Sequence, residues 1–185
     1  MKIEKQIMYM RARMIKHIFV FRIGVRVMES DMIHKELIQL NMDVVDAKDF
    51  FLKVCNKLVD LGYVKESFYD ALTKREKEFP TGLPTQPYAV AIPHADPQHI
   101  IKPFIAATRL KSAIKWCEMA TSDVWHDVKF IFMLGFKREH GHVELLQILV
   151  ENFQDEELMK RLLEATTEEE YMKAILGMKG FNEKE

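Results

Sequence analysis

The 185-residue sequence has little of several features that would define its class. Its two cysteines, Cys55 and Cys117, form no CxxC pair, which argues against a disulfide scaffold or a cysteine zinc site and suits a reducing cytoplasm. In the N-terminal region, no apolar run is longer than that of residues 18–21, whereas a transmembrane helix needs about 20 apolar residues and a signal peptide about 7–15. Repeats, low-complexity tracts and internal linkers are also absent.

Opposite charges are concentrated in two parts of the chain, although the formal net charge is only −1. Residues 1–27 carry seven basic side chains against Glu4, a local charge of +6, which leaves −7 for residues 28–185. The near-neutral total argues against a polyanion-binding protein. Residues 1–27 could nevertheless be a basic helix that binds a membrane or an RNA, or they could be a simple accessory arm. We expect an accessory extension at residues 1–27 and the functional domain at residues 28–185.

Helical periodicity occurs on both sides of a central region that is rich in apolar segments. The predicted helices span residues 47–61, 66–78, 143–152, 156–164 and 168–176. Asp46 is the predicted N-cap of the first helix, and Gly62 ends it. Thr167 and Glu170 form a predicted capping box for the last helix.

The central region contains apolar segments that are typical of strands. Residues 32–40 form a short strand or an entry segment, and the predicted strands that follow are residues 89–92, 104–110 and 128–134. The last is almost entirely apolar, as expected of a strand buried on both faces. Residues 79–87 hold three prolines and a glycine, which cannot form a helix or a central strand, so they are predicted to be a loop. The order of elements predicts an α/β layered domain.

Two histidines are placed where predicted strands end. His94 follows Pro93 and the apolar segment 89–92, and His142 follows the buried strand and a polar loop, at the start of a helix. Ligand sites in open α/β sheets lie beyond strand ends, and a helix N-terminus favours bound phosphate. The two histidines are therefore expected to meet at one site.

The residues alone leave three interpretations of these histidines open. One is a metal site with ligands among His94, Asp96, His99, His140 and His142, although HExxH spacing and a cysteine ligand are missing. Another is phosphoryl transfer, in which one neutral imidazole is the nucleophile and the other stabilises the added charge. A phosphorylated side chain carries a charge close to −2, so Arg75, Thr81 and loop N–H groups would support it. The last is a pair of structural histidines bonded to the backbone.

Three motifs, in order, resemble those of one known family. They are the REKEFPTGLPT segment at residues 75–85, AIPHAD at residues 91–96 and HVELL at residues 142–146. Together they resemble the IIA component of the bacterial phosphoenolpyruvate-dependent sugar phosphotransferase system, of the fructose/mannitol type. The resemblance covers residues 32–176, and PHADPQH at residues 93–99 is most similar to the galactitol-specific branch.

The resemblance implies roles for individual residues. His94 would carry the phosphoryl group, His142 would be the partner that stabilises it, and Arg75 would lie near the site. The attacking imidazole must be neutral, so a carbonyl or a carboxylate, with Glu76 and Asp96 as candidates, would hold its tautomer.

The resemblance also implies a fold, partners and a location. The fold would be a mixed β-sheet of about five strands with helices on both faces. Phosphorylated HPr, a small histidine phosphocarrier, would donate the phosphoryl group, and a cysteine of the IIB component would accept it for sugar entering through IIC. No metal, organic cofactor, nucleic acid or directly bound sugar is expected, and the oligomeric state is left open. The location would be cytoplasmic, near the membrane components of the system. The alternative is a free regulatory IIA-like protein whose histidine phosphorylation controls a partner.

Overall fold

The computed structural model describes residues 32–137 and 142–180, including the side chains of residues 145–180 in the second range. Within these residues the chain forms five strands and five α-helices. In chain order they are β1 Gln39–Met42, α1 Ala47–Asp60, α2 Phe68–Glu78, β2 Gly82–Leu83, β3 Val90–Ala91, β4 Phe104–Cys117, β5 Trp125–Gly135, α3 His142–Asn152, α4 Glu156–Glu164 and α5 Glu168–Leu176. The predicted extension at residues 1–27 lies outside the described residues.

Local signals set the ends of the helices. The Asp46 carboxylate accepts a hydrogen bond from the backbone N–H of Asp49 at 2.8 Å, which confirms the predicted N-cap of α1. Gly62 follows that helix with a φ of 71°, a conformation that favours glycine. The predicted capping box of α5 is also present. Only α2 begins later than predicted, at Phe68, because the preceding residues form a turn.

The five strands described form one mixed sheet in the order β1-β4-β5-β3-β2. The pairs β1–β4 and β3–β5 are parallel, whereas β4–β5 and β2–β3 are antiparallel. The prediction that residues 79–87 form only a loop is wrong at Gly82–Leu83, which form the edge strand β2. Prolines bracket this strand and an edge position tolerates them, because its outer side needs fewer backbone donors.

The β4–β5 hairpin is longer than the sequence predicted. Its far end returns to the β2 edge of the sheet, where Glu118 forms a bridge with Gly82 and the Met119 N–H donates to the Gly82 carbonyl at 2.8 Å. A Cβ atom on Gly82 would lie 2.4 Å from the carbonyl oxygen of Cys117, so only glycine allows this approach. The hairpin end is thereby held against the loop that follows α2.

Two hydrophobic cores cover the two faces of the sheet. Side chains of β5 alternate between them: Phe130, Phe132 and Leu134 pack with α3, α4 and α5, whereas Ile131 and Met133 pack with α1 and α2. This alternation explains the continuous apolar run of β5, and it confirms the predicted α/β fold with helices on both faces. In the described ranges, none of the helices is long and apolar enough to cross a membrane.

Candidate functional site

His94 lies just beyond the carboxyl end of β3, beside the end of β5. A parallel bridge pairs His94 with Leu134, and the Leu134 N–H donates to the Pro93 carbonyl at 2.9 Å. Because β3 and β5 are parallel neighbours, the segment after β5 leaves the sheet at the same end of the strands as His94. That segment leads to His142, the first residue of α3, whose side chain lies outside the described part. The two strand exits are therefore adjacent, as expected.

A backbone carbonyl holds the imidazole of His94. Its Nδ1 lies 2.9 Å from the carbonyl oxygen of Ile92. A carbonyl oxygen only accepts hydrogen bonds, so Nδ1 must carry the proton in the neutral ring. The lone pair of the neutral imidazole is then on Nε2. The contact with Ile92 thus puts the lone pair of neutral His94 on Nε2, the ring nitrogen that can act as a nucleophile.

The half-buried side chain of His94 lines a cavity of about 780 Å³. One wall is formed by Arg75 and residues 78–81, at the end of α2 and just after it, and the other by residues 119–123 of the β4–β5 turn. Small-molecule sites typically measure about 300–1,000 Å³. The cavity is therefore large enough for a phosphoryl group together with a side chain of a partner protein.

Arg75 brings a fixed positive charge to this cavity. It lies in the last turn of α2, and the carbon at the centre of its guanidinium is 4.5 Å from the centre of the Phe79 ring. Stacking on an aromatic ring restrains the guanidinium plane and leaves the N–H groups at its edge available for phosphate oxygens. Arg75 and Thr81, the residues predicted to support a phosphate, line the same cavity as His94.

Behind the cavity wall, the carboxylate of Glu76 binds Thr81 and Trp116. Glu76 Oε1 accepts from the Thr81 backbone N–H at 2.8 Å and from Trp116 Nε1–H at 2.7 Å, while Oε2 accepts from the Thr81 hydroxyl at 2.8 Å. Burial raises the pKa of Glu76, and the hydrogen bonds from Thr81 and Trp116 oppose that rise. Thr81 and Trp116 are themselves buried, so Glu76 fastens the loop after α2 to the end of β4.

The carboxylates that the sequence suggested as orienting groups occupy other positions. Glu76 binds Thr81 and Trp116, as described, and Asp96 is exposed at the N-terminus of the 3-10 helix Pro97–His99. His94 Nδ1–H donates to the Ile92 carbonyl, two residues earlier in the chain. The backbone, rather than either carboxylate, makes this contact.

The other residues of the possible metal set are not assembled as ligands in the described structure. His99 Nδ1 lies 2.8 Å from Ser67 Oγ, and its Nε2 lies 3.1 Å from the side-chain amide of Gln98. His140 lies outside the described residues. Among the side chains that the structure describes, no group of three His, Cys, Asp or Glu residues could hold a metal ion.

Sequence reasoning missed the β4–β5 turn as a wall of the cavity. The turn is placed by the pairing of Glu118 with Gly82, and no local sequence pattern marks residues that meet from such distant parts of the chain. The available signal was the group of apolar residues near the turn, Met119, Val124 and Trp125, all of which are exposed in the structure. Exposed apolar side chains beside a cavity are typical of an interaction surface.

The sequence of residues 31–177 matches a family described as "Phosphoenolpyruvate-dependent sugar phosphotransferase system, EIIA 2". The chain belongs to this family. The match covers the three motifs that carried the resemblance, and it confirms the family expected from them.

The chain is similar to individual EIIA proteins as well. The galactitol-specific EIIA component of Escherichia coli is 25% identical over 125 residues, which cover 68% of this chain and 83% of the relative. The nitrogen regulatory protein IIA-Ntr from Neisseria meningitidis has a TM-score of 0.63 at 23% identity, covering 79% of this chain and 97% of that one. The Escherichia coli complex of enzyme IIAMTL with phosphorylated enzyme IIBMTL gives 0.63 at 21% identity, covering 77% and 95%. The solved structures thus share the EIIA fold.

Proposed function

We propose that this EIIA protein is a phosphocarrier that accepts a phosphoryl group on Nε2 of His94 from phosphorylated HPr and passes it to a cysteine of a IIB component. The observation that carries the proposal is the hydrogen bond between His94 Nδ1 and the Ile92 carbonyl, which puts the ring proton on Nδ1 and the lone pair of the neutral imidazole on Nε2. The cavity lined by His94 and Arg75 supports it. The family match supports the same chemistry.

The transfer consists of two displacements at phosphorus. The lone pair of His94 Nε2 attacks the phosphorus of phosphohistidine in HPr, the N–P bond of the donor breaks, and its electron pair returns to the imidazole of HPr. The proton on His94 Nδ1 stays in place, so the phosphorylated ring carries a positive charge. A thiolate of IIB then attacks phosphorus, and the bond to Nε2 breaks. The reaction needs alignment and charge stabilisation, to which no metal is essential.

Phosphate support is assigned to Arg75, Thr81 and His142. The guanidinium of Arg75 can bind two phosphate oxygens. The Thr81 hydroxyl hydrogen is directed to Glu76, so Thr81 contributes mainly by holding the loop that frames the cavity. His142 is the first residue of α3, the helix that follows β5 in the chain, and we assign it the stabilisation of the added negative charge.

An apolar rim beside the cavity offers a docking surface for both protein partners. The rim consists of the exposed side chains of Phe79, Met119, Val124 and Trp125. Acidic residues lie at its border, among them Glu78 and Asp123 of the cavity wall. HPr and IIB must each reach Nε2 of His94, so they would use this surface one after the other. The formal charge of −7 on residues 28–185 favours a partner that presents positive charge.

The transported compound would be a sugar or a polyol, and galactitol is the one named by the curated relative. The phosphocarrier does not bind the sugar itself, so transfer to different IIB components is the test of substrate. A cytoplasmic location near the membrane components follows from these partners. The functional domain would be residues 28–185, and deletion of residues 1–27 is expected to leave phosphotransfer intact.

A regulatory role is the second candidate, in which phosphorylation of His94 controls a partner. The similarity in fold to IIA-Ntr favours it to the same degree as the similarity to the IIAMTL complex favours transport, since both TM-scores are 0.63. The curated galactitol-specific relative favours transport. Transfer from the phosphorylated protein to a IIB cysteine supports transport, whereas a stable phosphoprotein that no IIB accepts supports regulation.

Phosphorylation in a reconstituted system tests the proposal. Incubation with phosphoenolpyruvate, enzyme I and HPr is expected to add one phosphoryl group, measured by intact mass at neutral pH. His94→Ala should abolish the addition. His99→Ala is the matched control, because His99 follows in the same loop but binds Ser67 and Gln98 outside the cavity. Equal labelling of the His94→Ala and parent proteins would contradict the assignment.

A further inference from the structure

Glu76 is a charged group that the proposed transfer does not use, yet its hydrogen bonds lead to His94. Thr81, which donates to Glu76, accepts a hydrogen bond through its own carbonyl from the Ile92 N–H at 3.2 Å. The Ile92 carbonyl in turn accepts from Nδ1 of His94 at 2.9 Å. A series of hydrogen bonds thus connects the Glu76 carboxylate with the imidazole through two intervening residues.

We propose that Glu76 is a positioning residue whose negative charge, held behind the cavity wall by Thr81 and Trp116, stabilises the proton on Nδ1 of His94 when the ring becomes positive. The inference rests on the proposed function, because the ring becomes positive when Nε2 takes up the phosphoryl group.

The physical reason is that a positive imidazole needs a stronger acceptor than a neutral one. In a Ser-His-Asp triad a carboxylate contacts the imidazole directly and stabilises its positive form. Here the Ile92 carbonyl makes the direct contact with His94, and the carboxylate of Glu76 lies at the other end of the series. Opposite charges also attract through space, more strongly inside a protein than in water. The negative charge of Glu76 behind the cavity wall therefore favours the positive form of the His94 ring.

The loop does not need a charge for its attachment. A glutamine at position 76 could accept from the Thr81 N–H and Trp116 Nε1–H through Oε1, and its amide could donate to the Thr81 hydroxyl. These are the same three contacts that Glu76 makes. Burial, however, disfavours the charged form of Glu76. A carboxylate at this position is thus unfavourable for the fold alone, and a role for its charge accounts for it.

The variant Glu76→Gln separates the charge from the hydrogen bonds. Its effect on His94 is measured by ¹⁵N NMR titration of the imidazole and by single-turnover phosphorylation from phosphorylated HPr. We expect a lower His94 pKa and phosphorylation slowed by about threefold to tenfold, as for a base of reduced strength. The urea midpoint at neutral pH should not fall below that of the parent. The other charges of the cavity wall, on Arg75, Glu78 and Asp123, are the same in both proteins.

Two further variants provide the controls. Glu66→Gln removes an equal charge from an exposed position. It is expected to change neither the titration of His94 nor the rate of phosphorylation. Trp116→Phe removes one donor and keeps the carboxylate, so His94 should titrate as in the parent. If Glu76→Gln fails to fold, the parent protein provides the test, because the ¹⁵N signals of His94 should shift as the Glu76 carboxylate titrates. His94 signals that do not respond to that titration would contradict the inference.

Different outcomes separate this inference from the proposed function. An unchanged His94 titration and rate in Glu76→Gln would overturn the role of the charge and leave the phosphocarrier proposal standing. If the parent protein accepts no phosphoryl group, the proposed function fails. The NMR titration then still shows whether the carboxylate acts on His94.

Discussion

Glu76 and Arg109 each hold a charged group away from solvent, but the contacts around the two groups have different consequences. Arg109 lies on β4 with only 5% of its surface exposed. Its guanidinium donates to three carbonyls at the end of α4, those of Leu162, Leu163 and Ala165. These are the carbonyls that a helix leaves without intrahelical partners, and a positive charge at a helix C-terminus is favourable.

The contacts of Glu76 lead instead to His94, the proposed phosphoryl acceptor. Glu76 fastens the loop at Thr81, and that loop is bonded through Ile92 to His94. The contacts of Arg109 therefore serve the stability of the fold, whereas those of Glu76 also reach the site. Substitutions in the two regions should differ in what they change: the free energy of unfolding at Arg109, and the titration and rate of His94 at Glu76.

The largest effect on stability is expected for Arg109→Met. The variant leaves the three carbonyls at the end of α4 without their donor, and we expect the free energy of unfolding to fall by about 3 kcal/mol. Urea unfolding measures it. Lys111→Met is the control, because Lys111 on the same strand makes only an exposed ion pair with Asp43 and should cost about 0.5 kcal/mol or less. A loss below about 1 kcal/mol for Arg109→Met would show that the region does not depend on this charge.

A smaller loss is expected for Gly82→Ala, which lies in the region of Glu76 and should change both the stability of the fold and the candidate site. The added Cβ would overlap the Cys117 carbonyl oxygen, so β2 and the hairpin end must separate at a cost of about 1–3 kcal/mol. Phosphorylation should slow as well, because Thr81 moves with the strand. Gly177→Ala is the control: its Cβ would lie 3.3 Å from the nearest atom. Equal stabilities of the two variants would contradict the close approach at Gly82.

Trp125→Ser should weaken partner binding and leave the stability of the fold unchanged. Trp125 is 55% exposed on the proposed docking surface, and its loss should weaken binding of HPr about tenfold, or about 1.4 kcal/mol, by titration calorimetry. Ile101→Ser removes another exposed apolar side chain that lies outside the cavity wall and should leave the affinity unchanged. If both variants bind HPr as the parent does, the docking surface lies elsewhere.

The smallest effect is a pH dependence that isolates the charge of Glu76. Burial raises its pKa, so the folded protein holds this proton more tightly than the unfolded chain. The stability that the proton provides is present below the ordinary pKa of 4.5 and is lost as the pH rises through the raised value. Carboxylates whose pKa is lowered, such as Asp155 and Glu170, change the stability with pH in the opposite direction. They are present in both the parent and Glu76→Gln, so their effects cancel when the two proteins are compared.

The stability of the parent relative to Glu76→Gln should therefore fall as the pH rises from about 4 to about 7. Urea unfolding of both proteins across this range measures the difference. A difference that grows with pH would mean that the hydrogen bonds from Thr81 and Trp116 outweigh burial, and Glu76 would then stabilise the fold by its charge.

Features that depend on neighbours in sequence could be predicted well. The caps at Asp46 and Thr167 are formed within one helical turn, and the continuous apolar run of β5 reflects burial on both faces. The position of His94 beyond a strand end could be predicted for the same reason, because Pro93 ends the strand locally. The resemblance in three motifs then supplied the family, which comparison confirmed.

Features that depend on distant pairing could not be predicted. The two-residue strand β2 exists because Gly82 and Leu83 pair with β3, and nothing within the proline-rich segment itself indicates that pairing. The bond between Glu76 and Trp116 joins residues 40 positions apart. The contact that holds His94 is made by the carbonyl of Ile92, and every residue carries such a carbonyl, so side-chain types could not reveal it.

The central claim is that the Ile92 carbonyl holds Nδ1 of His94 and leaves Nε2 to take the phosphoryl group. Long-range ¹H–¹⁵N correlation spectra of the protein, phosphorylated by HPr and labelled in its histidine rings, measure this directly. The account predicts that phosphorus is bonded to Nε2 of His94, with the proton retained on Nδ1. A phosphoryl group on Nδ1, or on another histidine, would contradict it.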